Sequence, residues 1–180
     1  MATRDCGFTA GRLWDKGKNL ATLDRAAAGL AIPLHAAGPD TGPKGDRIQF
    51  RHARPLGVLG EEELARWLSA RPVFVSAALY EPFGLAVLEA AAAGCPLVLS
   101  DISTFRELWE GAASFVDPLD DAGFAAAISR IAGDDLARAE WGRKAKERAT
   151  RYSVLAMAAA MVEIYQRVLG ARGTQARAAA

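Results

Sequence analysis

Short apolar runs alternate along this chain with longer segments of helical periodicity. Residues 6–10, 72–77 and 96–100 are such runs, and few of their positions are polar. A strand covered on both faces is apolar along its whole length, whereas a strand with one solvent-exposed face alternates apolar and polar residues. The helical segments between the runs supply the crossovers that parallel strands require. The pattern therefore predicts an α/β fold, a three-layer sandwich with a parallel sheet between two layers of helices.

The individual helices and strands are predicted from the periodicity of apolar residues and from Gly and Pro residues that mark turns and element ends. The predicted strands are residues 6–10, 32–37, 48–50, 55–59, 72–77, 96–100 and 112–116. The predicted helices are residues 19–30, 61–70, 84–93 and 103–110, followed by a helical stretch over 120–170 with breaks near Gly133 and Tyr152. We expect one domain over residues 1–170 and a disordered tail over 171–180, which is short, polar and terminal.

Charge and composition argue against several classes of protein. The net charge is +1 with acids and bases interspersed, unlike the basic stripe of a nucleic-acid-binding protein. Without an N-terminal apolar signal region or a run long enough to span a bilayer, we expect a soluble, cytoplasmic chain. Cys6 and Cys95 lie in or beside apolar runs, so we expect small buried thiols in a reducing compartment. Neither His35 nor His52 has a second ligand at zinc-site spacing.

The segment over residues 80–94 carries the main chemical signal. Pro82 disfavours helical backbone at Glu81, so Glu81 is predicted to lie in the loop after the strand over 72–77. The following helix begins near Gly84 and ends at Gly94, a common residue for a helix C-terminus. The first-turn amides of this helix are unpaired donors, and together with the helix dipole they form an anion site. Gly84 lacks a side chain where a ligand would approach the backbone.

Glu89 is the one charged residue in the otherwise apolar helix over 85–93. A helix that is apolar on all sides is usually buried, and a buried carboxylate needs a partner. Helical side chains lean toward the N-terminus, so the Glu89 carboxylate is expected on the order of 5 Å behind the anion position. The hydroxyls of a ribose attached to a bound phosphate would fit there.

A second loop, over residues 11–18, follows the first predicted strand and contains several cations. Loops after the carboxyl ends of parallel strands line one edge of the sheet, where ligands bind in doubly wound folds. Arg12 and either Lys16 or Lys18 would face the same edge as Gly84, where cations neutralise a diphosphate.

These two segments resemble the donor-binding domain of retaining glycosyltransferases of family GT4, which have the GT-B fold. The family's E-x7-E motif is matched by Glu81-x7-Glu89 within Tyr80-Glu-Pro-Phe-Gly-Leu, and its Gly-Arg-Leu…Lys loop by Gly11-Arg12-Leu13 and a following lysine. The resemblance extends to about Leu169. It implies a Rossmann-like domain, the C-terminal half of a GT-B fold. It also implies that the family's N-terminal acceptor-binding domain is absent from this chain.

The resemblance also assigns roles to the residues of the motif. Glu81 would contact hydroxyls of the donor sugar, and Glu89 would bind the ribose. The backbone of Phe83, Gly84 and Leu85 would meet the sugar and the diphosphate. The resemblance implies a nucleoside diphosphate sugar as the donor and no further cofactor. We take UDP as the nucleotide because it is the most frequent one in the family.

The cations would hold the phosphates and stabilise the leaving nucleotide. Spacing from Arg12 favours Lys18, while Lys16-Gly17 is closer to the family's Lys-Gly pair. We assign Lys18 and group it with Arg12 and Glu81 as the residues of catalysis. The chain has no Asp-x-Asp pair, so we expect donor binding without a metal ion.

Two functions remain open at this point. The chain is either the donor domain of a glycosyltransferase or a non-catalytic nucleotide-sugar-binding subunit that acts only with a separate acceptor-binding chain. The chain's origin as a truncated protein or as half of a split enzyme is likewise open. A glycoside hydrolase is disfavoured because helix amides beside Glu89 would not raise the pKa of a carboxylate for acid catalysis. No G-x-G-x-x-G follows a predicted strand, which argues against a nicotinamide oxidoreductase.

Overall fold

The sheet has six parallel strands. The computed structural model describes the backbone of residues 2–178 and the side chains of residues 2–169. The strands are β1 Gly7–Ala10, β2 Leu34–Ala37, β3 Arg54–Gly57, β4 Val73–Ser76, β5 Leu97–Ser100 and β6 Ser114–Val116. Their order in the sheet is β3-β2-β1-β4-β5-β6, and every pairing is parallel. The order reverses between β1 and β4, which is the switch point where doubly wound folds bind ligands.

The helices cover both faces of the sheet. They are α1 Leu20–Ala27, α2 Glu61–Ser69, α3 Leu85–Ala93, α4 Ser103–Trp109, α5 Asp121–Ala132, α6 Asp135–Ala149 and α7 Val154–Ala178. Alternate residues of β4 point to opposite layers, since Phe74 joins the core under α2 and α3 whereas Val73 and Val75 join the core under α1 and α5. The predicted three-layer, Rossmann-like α/β fold is confirmed.

One predicted strand, residues 48–50, does not form. Ile48 and Phe50 are half-buried against the α1 side of the core, so their apolar character is explained by packing. The backbone finds other partners: the amides of Arg51, His52 and Ala53 all donate to the carboxylate of Asp24. These bonds hold the segment at α1, and β3 instead forms the edge strand of the sheet.

The remaining element predictions agree with the structure to within a few residues at each end. Both cysteines are buried and free, and burial raises the pKa of Cys6 to about 11 and that of Cys95 to about 12. The acidic pairs at 120–121 and 134–135 begin helices, with Asp120 and Asp134 accepting from first-turn amides. The predicted disordered tail at 171–180 overlaps the end of α7, whose backbone is helical to Ala178, and its disorder stays a prediction.

Candidate functional site

A cavity of about 360 Å³ opens at the carboxyl ends of β1 and β4. This is the switch point of the sheet, where β1 is flanked by β2 on one side and β4 on the other. Two loops form most of its wall, one following β1 and one joining β4 to α3. The lining residues are Thr9, Ala10, Gly11, Arg12, Leu13, Lys18, Leu20, Phe74, Ser76, Glu81, Pro82, Phe83, Gly84, Leu85, Ala86 and Val87. Six of the seven predicted site residues are among them, and Glu89 is the exception.

The loop after β1 is held against the neighbouring loop after β2. The Gly11 amide donates to the carbonyl of Ala37, and a Cβ at Gly38 would lie 1.8 Å from the carbonyl oxygen of Gly11. Gly38 also has a φ of +134°, so its lack of a side chain permits this close approach. The loop then places the exposed side chain of Arg12 at the cavity mouth, where its Nη2 lies 2.9 Å from Asp15 Oδ2.

Lys18 is the lysine that enters the cavity. Its Nζ donates to Glu81 Oε2, an ion pair between side chains that are 25% and 13% exposed. Lys16 is exposed and lines a separate cavity beside Trp14 and Arg47. Lys18, the lysine assigned above, thus lines the cavity at β1 and β4, whereas Lys16 lines the other one; contact of Lys18 with the phosphates stays a prediction.

The amino end of α3 forms the second wall of the cavity. Gly84 precedes the helix with φ +85°, and a Cβ there would lie 3.2 Å from Phe105 and 3.4 Å from Glu81 Cγ. A side chain at this position would therefore be both strained and crowded. No side chain caps the helix, and its first turn has no acidic residue. The backbone amides of Leu85 and Ala86, in the first turn, are consequently free of a side-chain cap. Both residues line the cavity, as do Lys18 and Arg12. This arrangement suits an anion.

Phe83 is fixed from outside the site. Its ring packs edge-on against Tyr152 at 5.6 Å between centroids. The Tyr152 hydroxyl donates to the carbonyl of Leu108 at 3.3 Å. The segment after α6 thereby supports the loop that leads into α3.

Glu89 does not have the buried environment that its apolar neighbours predicted. The expectation that α3 is buried on all sides was wrong, because Leu85, Glu89 and Ala92 form an exposed stripe at helical spacing. The helix packs its other faces against the core, through Val87, Ala90 and Ala91. The exposed carboxylate has no hydrogen-bond or ion-pair partner among the side chains of residues 2–169. Glu89 lies one turn beyond Leu85, on the face that continues from the cavity.

Asn19 and Ser100 position the site and were missed by sequence reasoning. The Asn19 side-chain amide donates to the carbonyls of Ala77 and Pro118, and Ser100 Oγ donates to the carbonyl of Ala78. These bonds tie the loop after β4 to its neighbours. Asn19 has a φ of +54°, and an Asn at the start of the helix predicted over 19–30 was the available signal.

No helix among residues 2–178 is long and apolar enough to cross a membrane. Within the same residues, no group of three or more His, Cys, Asp or Glu side chains is placed to hold a metal ion.

The fold and cavity define the class of protein: a Rossmann-like domain with an uncapped helix end at its switch point. Residues 5–134 match the family model described as "Glycosyl transferases group 1". This chain therefore belongs to the group 1 glycosyl transferases, and its domain is the C-terminal one of the GT-B fold.

Known proteins of this kind are similar over most of this chain. A phosphatidyl-myo-inositol mannosyltransferase of Mycolicibacterium smegmatis is 37% identical over 123 residues, which are 67% of this chain and 32% of that protein. The structure of a sucrose-phosphate synthase from Thermosynechococcus elongatus superposes with a TM-score of 0.81 and 28% identity, covering 92% of this chain and 46% of that one. HepE of Anabaena, solved in complex with UDP-glucose, shares the fold at 18% identity and a TM-score of 0.80, over 91% of this chain and 49% of its own. The chain thus spans about a third to a half of the length of these three proteins.

Proposed function

We propose that this chain binds a nucleoside diphosphate sugar and serves as the donor-binding part of a retaining glycosyltransferase that transfers the sugar to an acceptor hydroxyl. The observation that carries the proposal is the meeting of Lys18, Arg12 and the uncapped amino end of α3 around one cavity. Helix amides and two cations around one cavity would together suit the phosphates of such a donor.

The diphosphate is the part of the donor that this cavity suits best. Its negative charge would accept hydrogen bonds from the amides of Leu85 and Ala86 and interact with Lys18 and Arg12. The departure of a nucleoside diphosphate develops further negative charge, which such fixed donors stabilise without reorganisation. These groups can perform this role without a divalent cation, so we propose metal-independent binding.

The sugar and ribose positions follow from the carboxylates. Glu81 lies beside Lys18 at the inner wall, where it can accept hydrogen bonds from sugar hydroxyls once Lys18 turns to the phosphates. Glu89, one turn along α3 from the helix end, is proposed to accept hydrogen bonds from the ribose. UDP is the nucleotide we propose first; HepE, which has the same fold, was solved with UDP-glucose.

A thermal-shift screen across UDP, GDP and ADP sugars, followed by calorimetry in EDTA, tests donor binding directly. Lys18→Gln is expected to weaken the binding of the nucleoside diphosphate by about tenfold, the effect of losing one charge-assisted hydrogen bond. Lys16→Gln removes the same charge from the same loop but outside the cavity, and it should leave affinity unchanged. Equal losses in the two variants, or no binding of any nucleotide, would overturn the proposal.

We propose as a second function a non-catalytic nucleotide-sugar-binding subunit, for which the cavity between β1 and the amino end of α3 would suffice. In that case an acceptor site would be supplied by a separate chain. We expect no transfer to an acceptor by this chain alone, because catalysis requires both reactants to be positioned. Transfer by the purified chain would exclude this second function. Slow hydrolysis of the donor is compatible with both, since water needs no acceptor site.

A further inference from the structure

A second cavity, of about 660 Å³, lies at the opposite edge of the sheet from the donor site. Its lining includes Arg4, Arg71 and Pro96, which precede β1, β4 and β5, so it opens at the amino ends of the strands. One face of α6 forms the other wall. The size is within the range of sites for small metabolites.

The cavity has a floor of small residues and a strongly basic wall. Ala70, Gly94, Ala139 and Gly142 line it without bulky side chains. A Cβ at Gly142 would lie 2.4 Å from the carbonyl oxygen of Gly94, so α6 approaches the end of α3 closely. The charged lining residues are Arg4, Arg71, Arg138, Arg143, Lys146 and one carboxylate, Asp135.

Three of the five cations are paired within the protein. Arg4 forms an ion pair with Asp135, Arg143 Nη1 lies 3.1 Å from Glu147, and Arg138 Nη1 lies 3.0 Å from Asp5. The Arg138 side chain is only 5% exposed. It also donates to the carbonyl of Arg4, and its Nε is buried without a hydrogen-bond partner among the described residues.

Arg71 and Lys146 have no carboxylate within ion-pair distance in the described part of the chain. Arg71 has a φ of +55°, a left-handed conformation in which a glycine or asparagine is usual after a helix. Its guanidinium lies over the floor, with Nε 3.5 Å from the position of a Cβ on Gly94. The ends of α2 and α3 at this edge carry partial negative charge, which favours nearby cations but offsets only about half a unit per helix.

We infer that this cavity is an anion site that binds a phosphate monoester, with Arg71 and Lys146 as its principal ligands and Arg138 as its buried support. Two unpaired cations match the two negative charges of a phosphate monoester, and Arg provides the fork that phosphate oxygens accept. The inference does not depend on the donor-site proposal, since the two cavities share no residue. Both a free phosphate ester and a lipid headgroup offer this chemistry.

An NMR titration with sn-glycerol 3-phosphate, with glycerol as the uncharged control, tests the site on the whole chain. We expect saturable shifts of the Arg71, Gly94 and Gly142 amides with the phosphate ester and none with glycerol. Shifts confined to Gly11, Gly84 and Leu85 would assign the phosphate to the donor cavity instead and overturn the inference, as would the absence of any shift.

The variant Arg71→Gly/Lys146→Gln should weaken this binding by at least about tenfold, because it removes two charge-assisted contacts. The backbone at position 71 favours glycine, so the variant should fold. Arg66→Gln changes the charge of a neighbouring exposed arginine outside the cavity and should leave affinity unchanged. Unchanged affinity in the double variant would overturn the inference.

Co-sedimentation with phosphatidylcholine vesicles, with and without phosphatidic acid, identifies the source of the phosphate. Binding only to the acidic vesicles, lost in the double variant, supports a lipid headgroup. Binding of glycerol 3-phosphate without co-sedimentation supports a free ester.

Discussion

Lys18 and Glu81 form an ion pair across the donor cavity, although 63 positions separate them in the sequence. The cation proposed to hold the diphosphate is thus neutralised by the carboxylate proposed to hold the sugar. A diphosphate can gain the full interaction with Lys18 only by displacing Glu81. The pair therefore couples the two parts of the donor site.

The first prediction concerns this coupling. Glu81→Gln should strengthen the binding of UDP a few-fold, because it removes a competing anion from Lys18. The same change removes an acceptor for sugar hydroxyls, so the preference for the sugar nucleotide over UDP should fall by about tenfold. Calorimetry with UDP and with the best sugar nucleotide of the screen measures both effects. Glu107→Gln, an exposed charge change on α4, is the control; a parallel loss for both ligands in Glu81→Gln would contradict the coupling.

The second prediction isolates the phosphate contact of Arg12. Arg12→Ala should weaken UDP binding by about 1–2 kcal/mol and leave uridine binding nearly unchanged, since uridine lacks the phosphates. EDTA should have no effect on either ligand. Equal losses for UDP and uridine, or a strict requirement for Mg²⁺ or Mn²⁺, would show that this electrostatic assignment is wrong.

The third prediction concerns Glu89. Glu89→Ala should weaken UDP binding by about 1–3 kcal/mol through lost hydrogen bonds to the ribose. Because Glu89 is exposed and has no hydrogen-bond partner among the described residues, its replacement should not alter the free energy of unfolding. Glu62→Ala, an exposed glutamate on α2, is the matched control. Unchanged UDP affinity in Glu89→Ala would remove the ribose role.

The fourth prediction compares two glycines with similar backbone geometry. Gly84 and Gly111 have φ values of +85° and +76°, so alanine should cost about 1–2 kcal/mol of stability at either position. A Cβ at Gly111 meets open space, whereas one at Gly84 meets Phe105 at 3.2 Å beside the donor cavity. Chemical denaturation and calorimetry should show two destabilised variants, of which only Gly84→Ala loses donor binding. Intact binding in Gly84→Ala would contradict the proposed backbone contact.

The fifth prediction concerns Asp24, which anchors residues 51–53. Burial raises the pKa of this carboxyl, but hydrogen bonds from the amides of Ala53, His52 and Arg51 outweigh burial and hold the pKa below its usual value of 3.8. A depressed pKa contributes stability above the unfolded value that is lost as the pH falls below about 3.8 toward the folded pKa. Asp24→Asn should therefore cost about 1–3 kcal/mol at pH 6.

The difference in unfolding free energy between wild type and Asp24→Asn should be constant from about pH 5 to 7 and shrink below about pH 4. Urea denaturation across this range measures it. A difference that stays constant down to pH 3 would contradict the assignment of the lost stability to this carboxylate.

Much of the fold could be predicted because its signals are local. The apolar run before Glu81 and the Pro82 and Gly84 signals after it locate the end of β4 and the start of α3 without reference to any other segment. Parallel pairing follows from helices between strands. Residues 48–50 show where a local pattern fails to predict structure: Ile48 and Phe50 are apolar enough for a strand, but they pack against the core beside α1, and the following amides bind Asp24 of that helix.

The residues of the candidate site could likewise be predicted from the spacing of the motifs. The environment of each residue, however, depends on distant parts of the chain. Glu89 is exposed because α3 packs only three of its residues deeply, and a helix's buried face is set by what lies against it. Lys18 rather than Lys16 reaches the cavity because the turn after β1 directs one inward and the other outward. The pairing of Lys18 with Glu81 requires β1 and β4 to align in the sheet, and the cavity beside Arg71 further requires α6 to pack against the sheet. Contacts between residues far apart in sequence depend on the packed sheet, and no local pattern of a single segment specifies them.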